Sequence, residues 1–177
     1  VESGIVKTYK STESGKEFIT GIHTKGNFIG QLSLLNQNGT YLESATVIED
    51  SKVYHIPKSD FIHLLYDNKE VSQKFMNLIS NDLIEVQKQL VNMAYASVRQ
   101  RVARALLNLH KKGLIMDSPN EGIDIPREDF ASMIGTATET AIRALSDFKD
   151  EGLISMGQAR RIVLLDKGEL QNIVDFR

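Results

Sequence analysis

The sequence predicts an α+β chain made of a partial β-barrel, one long helix and a C-terminal winged helix-turn-helix. Short β-branched runs between turn residues fill the first third. An apolar heptad pattern follows, within residues 58–112, which hold neither Gly nor Pro. Two short helical segments joined at a glycine then precede a predicted hairpin. We therefore expect domains at 1–68, 69–97 and 98–177.

The composition is that of a globular protein and excludes several kinds of site. Hydrophobic residues make up 41% of the 177 residues and charged residues 25%. Because there is no cysteine, thiolate-bound iron–sulfur clusters, Cys-type zinc sites and catalytic thiols are excluded. The longest apolar runs fall short of the roughly 18 residues that a membrane helix needs. We expect a cytoplasmic protein with no membrane partner.

The net charge gives no sign of a nucleic-acid partner. The formal net charge is -2, and from Arg99 onward 12 basic residues balance 12 acidic ones. Any DNA contact would therefore depend on where individual cations lie, because the chain has no overall basic field.

Residues 1 to about 66 predict strands. Apolar or aromatic residues recur over 5–9, and β-branched runs recur at 46–48 and 52–56. The spacing of these runs is typical of a sandwich or barrel, but the strands are too few to close one. We therefore expect a partial barrel in a chain that is incomplete at its N-terminus.

The predicted long helix carries an apolar seam. Intervals of three and four residues alternate through Met76, Ile79, Leu83, Val86, Leu90 and Met93. A helix over 69–97 would be about 43 Å long. Such a helix could lie on its own domain as a core helix. We favour a two-fold dimer in which the seams of two copies pair, because a small β domain cannot cover the whole length.

The C-terminal part predicts a helix-turn-helix followed by a wing. A helix over 98–113 comes first, and a short one over 127–133 then starts after Pro126 and is broken at Gly135. Thr136 and Glu139 have the spacing of a capping box that opens the next helix. Two apolar runs around a turn at 156–158 predict a hairpin with a basic tip.

The second helix of the motif has two faces. A helical wheel places Ile142, Leu145 and Phe148 on the apolar side. A separate polar stripe, spaced i, i+4 and i+7, consists of Glu139, Arg143 and Ser146.

These motifs resemble one known family. The segments IPREDFA (125–131), IG (134–135) and ETAIR (139–143) resemble the DNA-binding domain of the catabolite-activator and fumarate-nitrate-reduction (Crp/Fnr) regulators. GNFIG (26–30) and the Ser44-Ala45 pair resemble that family's cyclic-nucleotide-binding barrel, and 94–103 resembles its hinge. The resemblance covers essentially the whole chain. It implies a homodimeric, sequence-specific transcription regulator whose partners are double-stranded DNA with an inverted repeat, a second copy and RNA polymerase.

The resemblance also assigns residues to DNA. Glu139 matches a position that accepts a hydrogen bond from cytosine N4, and Arg143 matches one that donates to guanine O6 and N7. Alternatively, Glu139 could be only the carboxylate of the capping box, and Arg143 could be a solvated surface cation. Further contacts, mainly with phosphates, are expected at Arg127, Thr136, Thr138, Thr140, Arg160 and Arg161.

For three further residues the expected contact with DNA is different. Thr138 stands where the activator usually has arginine, so the base preference at that position stays open. Arg99 and Arg101, near the hinge, are expected to be solvated or in ion pairs instead of on DNA.

The predicted effector pocket departs from cyclic-AMP binders of the family. Those hold the phosphate with an arginine directly before the Ser-Ala pair, where this sequence has Glu43, and a carboxylate repels a phosphate. Gln31 replaces the ribose-binding glutamate, and Val86-Gln87 replaces the pair that meets adenine. We expect no cyclic-AMP dependence. The candidate pocket residues are Gly30, Gln31, Glu43, Ser44 and Gln87.

Other ligands and other functions stay open at this point. A different small molecule, a haem, a partner domain or no ligand at all would fit the pocket residues, which also suit a tight barrel loop. The four histidines lack metal-site spacing, and no catalytic arrangement stands out, so we expect neither a metal nor an enzyme. The competing hypothesis is a ligand-sensing regulatory module that binds a protein partner, since the C-terminal half is electrically neutral.

Overall fold

A computed structural model describes residues 1–36, 38–117, 124–157 and 161–175. These residues fall into two compact units, Val1–Val91 and Asn92–Arg177. Their elements in chain order are β1 (Ser3–Ser11), β2 (Glu17–His23), α1 (Gln31–Leu35), β3 (Ser44–Lys52), α2 (Lys58–Asp67), α3 (Lys69–Tyr95), α4 (Val98–Lys111), α5 (Arg127–Ile134), α6 (Thr138–Asp150), β4 (Ile154–Met156), β5 (Ile162–Leu164) and α7 (Lys167–Asp175).

The first unit contains an antiparallel sheet in the order β2-β1-β3. Ile5 and Val6 of β1 and Ile19 and Ile22 of β2 are buried. This sheet is open, as the predicted partial barrel requires.

The predicted strand over 52–56 is wrong beyond its first residue. The pairing of β3 with β1 ends at Lys52, which lies opposite Ser3. Val53 and Tyr54 therefore have no strand beside them among the described residues, and both side chains are exposed. β-propensity without a pairing partner does not make a strand.

Aromatic side chains pack α2 and α3 together. The ring of Phe61 lies 5.2 Å from that of Phe75 in an edge-to-face arrangement and 6.4 Å from that of Phe28. Phe61 and Phe75 are the buried residues of their helices. The start of α3 is therefore fixed to its own unit.

Farther along, α3 loses this cover. Every residue from 81 to 91 is exposed, and of the six seam residues only Ile79 is half-buried. Leu83 and Leu90, for example, are 58% and 62% exposed. Within the described part of its unit, no element covers this seam. No helix in the described ranges is both long and apolar enough to cross a bilayer.

The second unit is a winged helix-turn-helix. Helix α4 packs against α5, α6 and α7, and β4 pairs with β5 to form the hairpin. The core contains the almost fully buried side chains of Leu106, Leu109, Phe130, Leu145 and Phe148. Both predicted helices of the motif and its hairpin are present.

The turn between α5 and α6 differs from the predicted capping box. Gly135 adopts a left-handed conformation, with φ 63° and ψ 49°, and Thr136 N donates to Ala131 O at 3.1 Å. This bond and that from Gly135 N to Ser132 O close α5 in the pattern of a Schellman motif. Thr136 therefore belongs to the end of α5, and α6 begins only at Thr138, with Ala137 as a cap that has no side-chain hydrogen bond.

A capping box occurs instead at the start of α4. Ser97 accepts from the backbone of Gln100, and the Gln100 side chain accepts from Ser97 N at 2.9 Å. The Ser-x-x-Gln spacing that signals this box is visible in the sequence. It fixes the point at which α3 ends and α4 begins.

Candidate functional site

The exposed face of α6 carries the predicted base-reading residues. Glu139 and Arg143 lie one turn apart and are both exposed, as is Thr140. The opposite face buries Ala141, Leu145 and Phe148 against α4, α5 and β4. Because that packing is complete, the charged stripe faces away from the unit.

Ile142 does not belong to the apolar face as predicted. Its side chain is 46% exposed, whereas Leu145 and Phe148 are buried. The prediction was wrong because the buried face of α6 is formed by Ala141, Leu145 and Phe148. On the helical wheel Ile142 lies at the edge of that face. Ile142 therefore stands beside Glu139 and Arg143 on the surface.

Arg101 fixes the turn that precedes α6. Its Nη1 donates to Ile134 O at 2.7 Å and to Gly135 O at 3.0 Å. These carbonyls lie at the C-terminal end of α5, where a helix leaves acceptors unsatisfied and favours a positive charge. The expectation that Arg101 is solvated or in an ion pair is therefore wrong.

Arg99 binds the C-terminal end of α6. Its guanidinium makes two hydrogen bonds to the carboxylate of Glu151, one of them 2.6 Å long, and lies 4.8 Å from the centre of the Phe148 ring. The hydrogen bond from Arg99 holds the pKa of Glu151 below its usual value. The expected ion pair is confirmed, and two arginines of α4 bind the C-terminal ends of α5 and α6.

The other predicted DNA residues lie in different settings. Arg127 is half-buried, and its guanidinium donates to Ile125 O at 3.4 Å and to Met156 Sδ at 3.3 Å. Thr136, Thr138 and Arg161 are also half-buried. Arg160 lies outside the described residues.

The predicted effector residues lie in the first unit and come together only in part. A shallow depression there includes Gly30 and Glu43 in its lining, together with Lys10, Ser33 and Tyr41. Gly30 has φ 80°, and a Cβ at this position would approach the Tyr41 ring to 2.7 Å. Glycine is therefore required there for both backbone and space.

The remaining three effector residues do not line this depression. Gln31 donates from Nε2 to Asp82 Oδ2 of α3 at 2.9 Å, so it joins α1 to the long helix. Ser44 and Gln87 are exposed.

Glu43 is held in place by the sheet. Thr20 Oγ1 donates to Glu43 Oε2 at 2.7 Å and lies 2.9 Å from Thr8 Oγ1. Thr8 is buried, and its hydroxyl in turn lies 3.0 Å from His23 Nε2. The Glu43 carboxylate is therefore anchored at the depression, whose lining also contains Lys10.

Each of the two units matches the model of a known protein family. Residues 100–173 match the family model of the Crp-like helix-turn-helix domain, and residues 1–68 match that of the cyclic nucleotide-binding domain. Electron transport regulator A of Shewanella oneidensis is 30% identical over 172 residues, which cover 96% of this chain and 68% of that protein. The transcriptional activator Anr of Pseudomonas aeruginosa is 27% identical over 172 residues, covering 96% and 69%.

A solved structure shows the same fold. FixK2 from Bradyrhizobium japonicum superposes with a TM-score of 0.85 at 23% identity, over 98% of this chain and 84% of that one. The winged helix-turn-helix and these relatives define a DNA-binding transcription regulator. The chain belongs to the Crp/Fnr family, which confirms the predicted resemblance.

No local sequence pattern indicates the roles of Arg101 or Thr20. Arg101 acts on carbonyls 33 and 34 residues away, and Thr20 acts on a carboxylate 23 residues away. Contacts between residues so far apart in the chain depend on tertiary packing, and no local residue spacing indicates them.

Replacing Arg101 by alanine tests its role at the turn. The substitution removes two hydrogen bonds to carbonyls, so we expect Arg101→Ala to lower the free energy of unfolding by about 1–3 kcal/mol. Urea denaturation followed by circular dichroism measures this change. The exposed Arg143→Ala serves as a matched control and should unfold like the parent protein. Equal stability of Arg101→Ala and the parent would refute the role.

Proposed function

We propose that this regulator acts in the cytoplasm as a homodimer that binds an inverted repeat in double-stranded DNA without cyclic AMP. The observation that carries the proposal is the exposed stripe of Glu139 and Arg143 on a helix whose other face is completely packed. A helix of this kind, after a tight turn, suits insertion into the major groove.

The two charged side chains have complementary chemistry toward bases. The Glu139 carboxylate can only accept hydrogen bonds when ionised, which matches the amino group of cytosine. The Arg143 guanidinium donates two parallel hydrogen bonds, which match guanine O6 and N7. Further contacts with phosphates or nearby bases are assigned to Arg127, Thr136, Thr138, Thr140, Arg160 and Arg161.

The dimer is supported by the exposed seam of α3. Pairing two seams would remove the side chains of Leu83 and Leu90 from water, and such burial is the main favourable term in association. In regulators that bind as two-fold dimers, the two recognition helices read half-sites in successive major grooves, about 34 Å apart. The half-sites of the DNA are then inverted. RNA polymerase is the further partner that a regulator bound at a promoter would contact.

Independence from cyclic AMP is supported by Glu43. The hydrogen bond from Thr20 keeps the Glu43 carboxylate at the depression. The phosphate of a cyclic nucleotide would meet this like charge beside Lys10, the cation that also lines the depression.

Selection from a random duplex pool tests the proposal directly. We would run the selection with the full chain, once with 3′,5′-cyclic AMP and once without. The same inverted repeat should be enriched in both. Enrichment only with the nucleotide would overturn the independence from cyclic AMP, and enrichment of no repeat in either would overturn the DNA proposal.

A charge placed in the seam of α3 should prevent pairing. We expect Leu83→Glu to be monomeric in sedimentation equilibrium, because two buried carboxylates would face each other without partners. The matched control is Ile84→Glu, which changes an exposed apolar residue one position outside the seam and should remain dimeric. A dimeric Leu83→Glu, or a monomeric parent, would contradict pairing through the seam.

Removing the guanidinium of Arg143 should weaken and broaden recognition. We expect Arg143→Ala to cost about 1–3 kcal/mol of binding free energy and to relax the preference at one base pair of each half-site. Fluorescence anisotropy with the selected site and its single-base variants measures both effects. The control Lys149→Ala removes an exposed cation from the same helix outside the stripe and should keep the preference. Unchanged discrimination by Arg143→Ala would remove Arg143 from the readout.

A further inference from the structure

Ile142 is an apolar side chain on a surface otherwise suited to polar contacts. It is 46% exposed, follows Glu139 by three positions and directly precedes Arg143. Among the described residues from 98 onward, the exposed large hydrophobic side chains are those of Ile142 and Leu165. Of these two, only Ile142 lies on α6, the proposed recognition helix.

Ile142 lies at the edge of the buried face of α6. The buried residues of the helix are Ala141, Leu145 and Phe148. At about 100° per residue, Ile142 stands about 60° to one side of Glu139, and Arg143 about 40° to the other. All three side chains therefore reach outward over one arc of the helix.

The major groove offers one apolar group to such a side chain. The base edges there present hydrogen-bond donors and acceptors, except for the C5-methyl group of thymine. An isoleucine presents methyl groups on a side chain whose first torsion angle is already restricted, so little conformational entropy is lost when it packs. The charged head groups of Glu139 and Arg143 are suited to the polar groups of the base edges instead.

We infer that Ile142 recognises a thymine in each half-site by packing against its C5-methyl group. The inference rests on the proposed function and adds a third base preference to those of Glu139 and Arg143. The thymine adjoins the base pairs that these two residues contact.

Deoxyuridine provides a probe that removes only the methyl group. In the selected inverted repeat, each thymine of the half-site is replaced in turn by deoxyuridine, in both half-sites together, and the Kd is measured at fixed salt. At one thymine position the parent protein should bind about fourfold more weakly per half-site, the amount expected for one buried methyl group. At the other thymine positions the Kd should stay the same.

Variants show whether Ile142 causes this effect. Ile142→Ala should bind the thymine site more weakly and lose the difference between thymine and deoxyuridine at that position. Ile142→Val, which removes one carbon atom and keeps the branched shape, should retain part of it. If Ile142→Ala does not fold, the Ile142→Val variant alone still tests whether the deoxyuridine effect depends on Ile142. Arg143→Ala is the matched control, because it weakens binding on the same helix and should keep the full deoxyuridine effect.

The outcomes separate this inference from the proposed function. A thymine whose methyl effect disappears only when Ile142 is changed supports it. A selected half-site without thymine, or a deoxyuridine effect of the same size in the parent, Ile142→Val and Ile142→Ala, overturns the inference and leaves DNA binding intact. If no inverted repeat is selected, the proposed function falls and the inference falls with it.

Discussion

The burial of Leu145 and Phe148 of α6 in the core of the second unit is the constraint on which the functional surface depends. It decides which residues of the helix point outward. Two arginines of α4 add to it: Arg99 binds the end of α6 through Glu151, and Arg101 binds the turn before it. The orientation of the recognition helix is therefore set by α4, the helix that begins directly after the long helix α3.

The first unit contributes a long exposed seam and a depression with an anchored carboxylate. The aromatic contact of Phe61 and Phe75 fixes the start of α3, while the seam around Leu83 remains open to a second copy. Gln31 belongs to α1, the helix whose Ser33 lines the depression, and its side chain donates a hydrogen bond to Asp82 of α3.

Much of this architecture was predictable from local pattern. The heptad seam predicted α3, and Pro126 and Gly135 predicted the bounds of α5. The predictions failed where tertiary packing decides. Arg101 finds its carbonyl acceptors far along the chain, and the exposure of Ile142 depends on which face of α6 the core takes. A wheel drawn from hydrophobicity alone cannot rank a small buried alanine above a large isoleucine.

We propose that α6 brings Glu139, Ile142 and Arg143 to base edges in the major groove. A crystal structure of the protein bound to its selected inverted repeat would show this placement. We expect α6 in the groove of each half-site, with two guanidinium nitrogens of Arg143 in hydrogen-bond distance of a guanine's O6 and N7. A complex in which α6 lies outside the groove, or in which Arg143 contacts only phosphate, would contradict it.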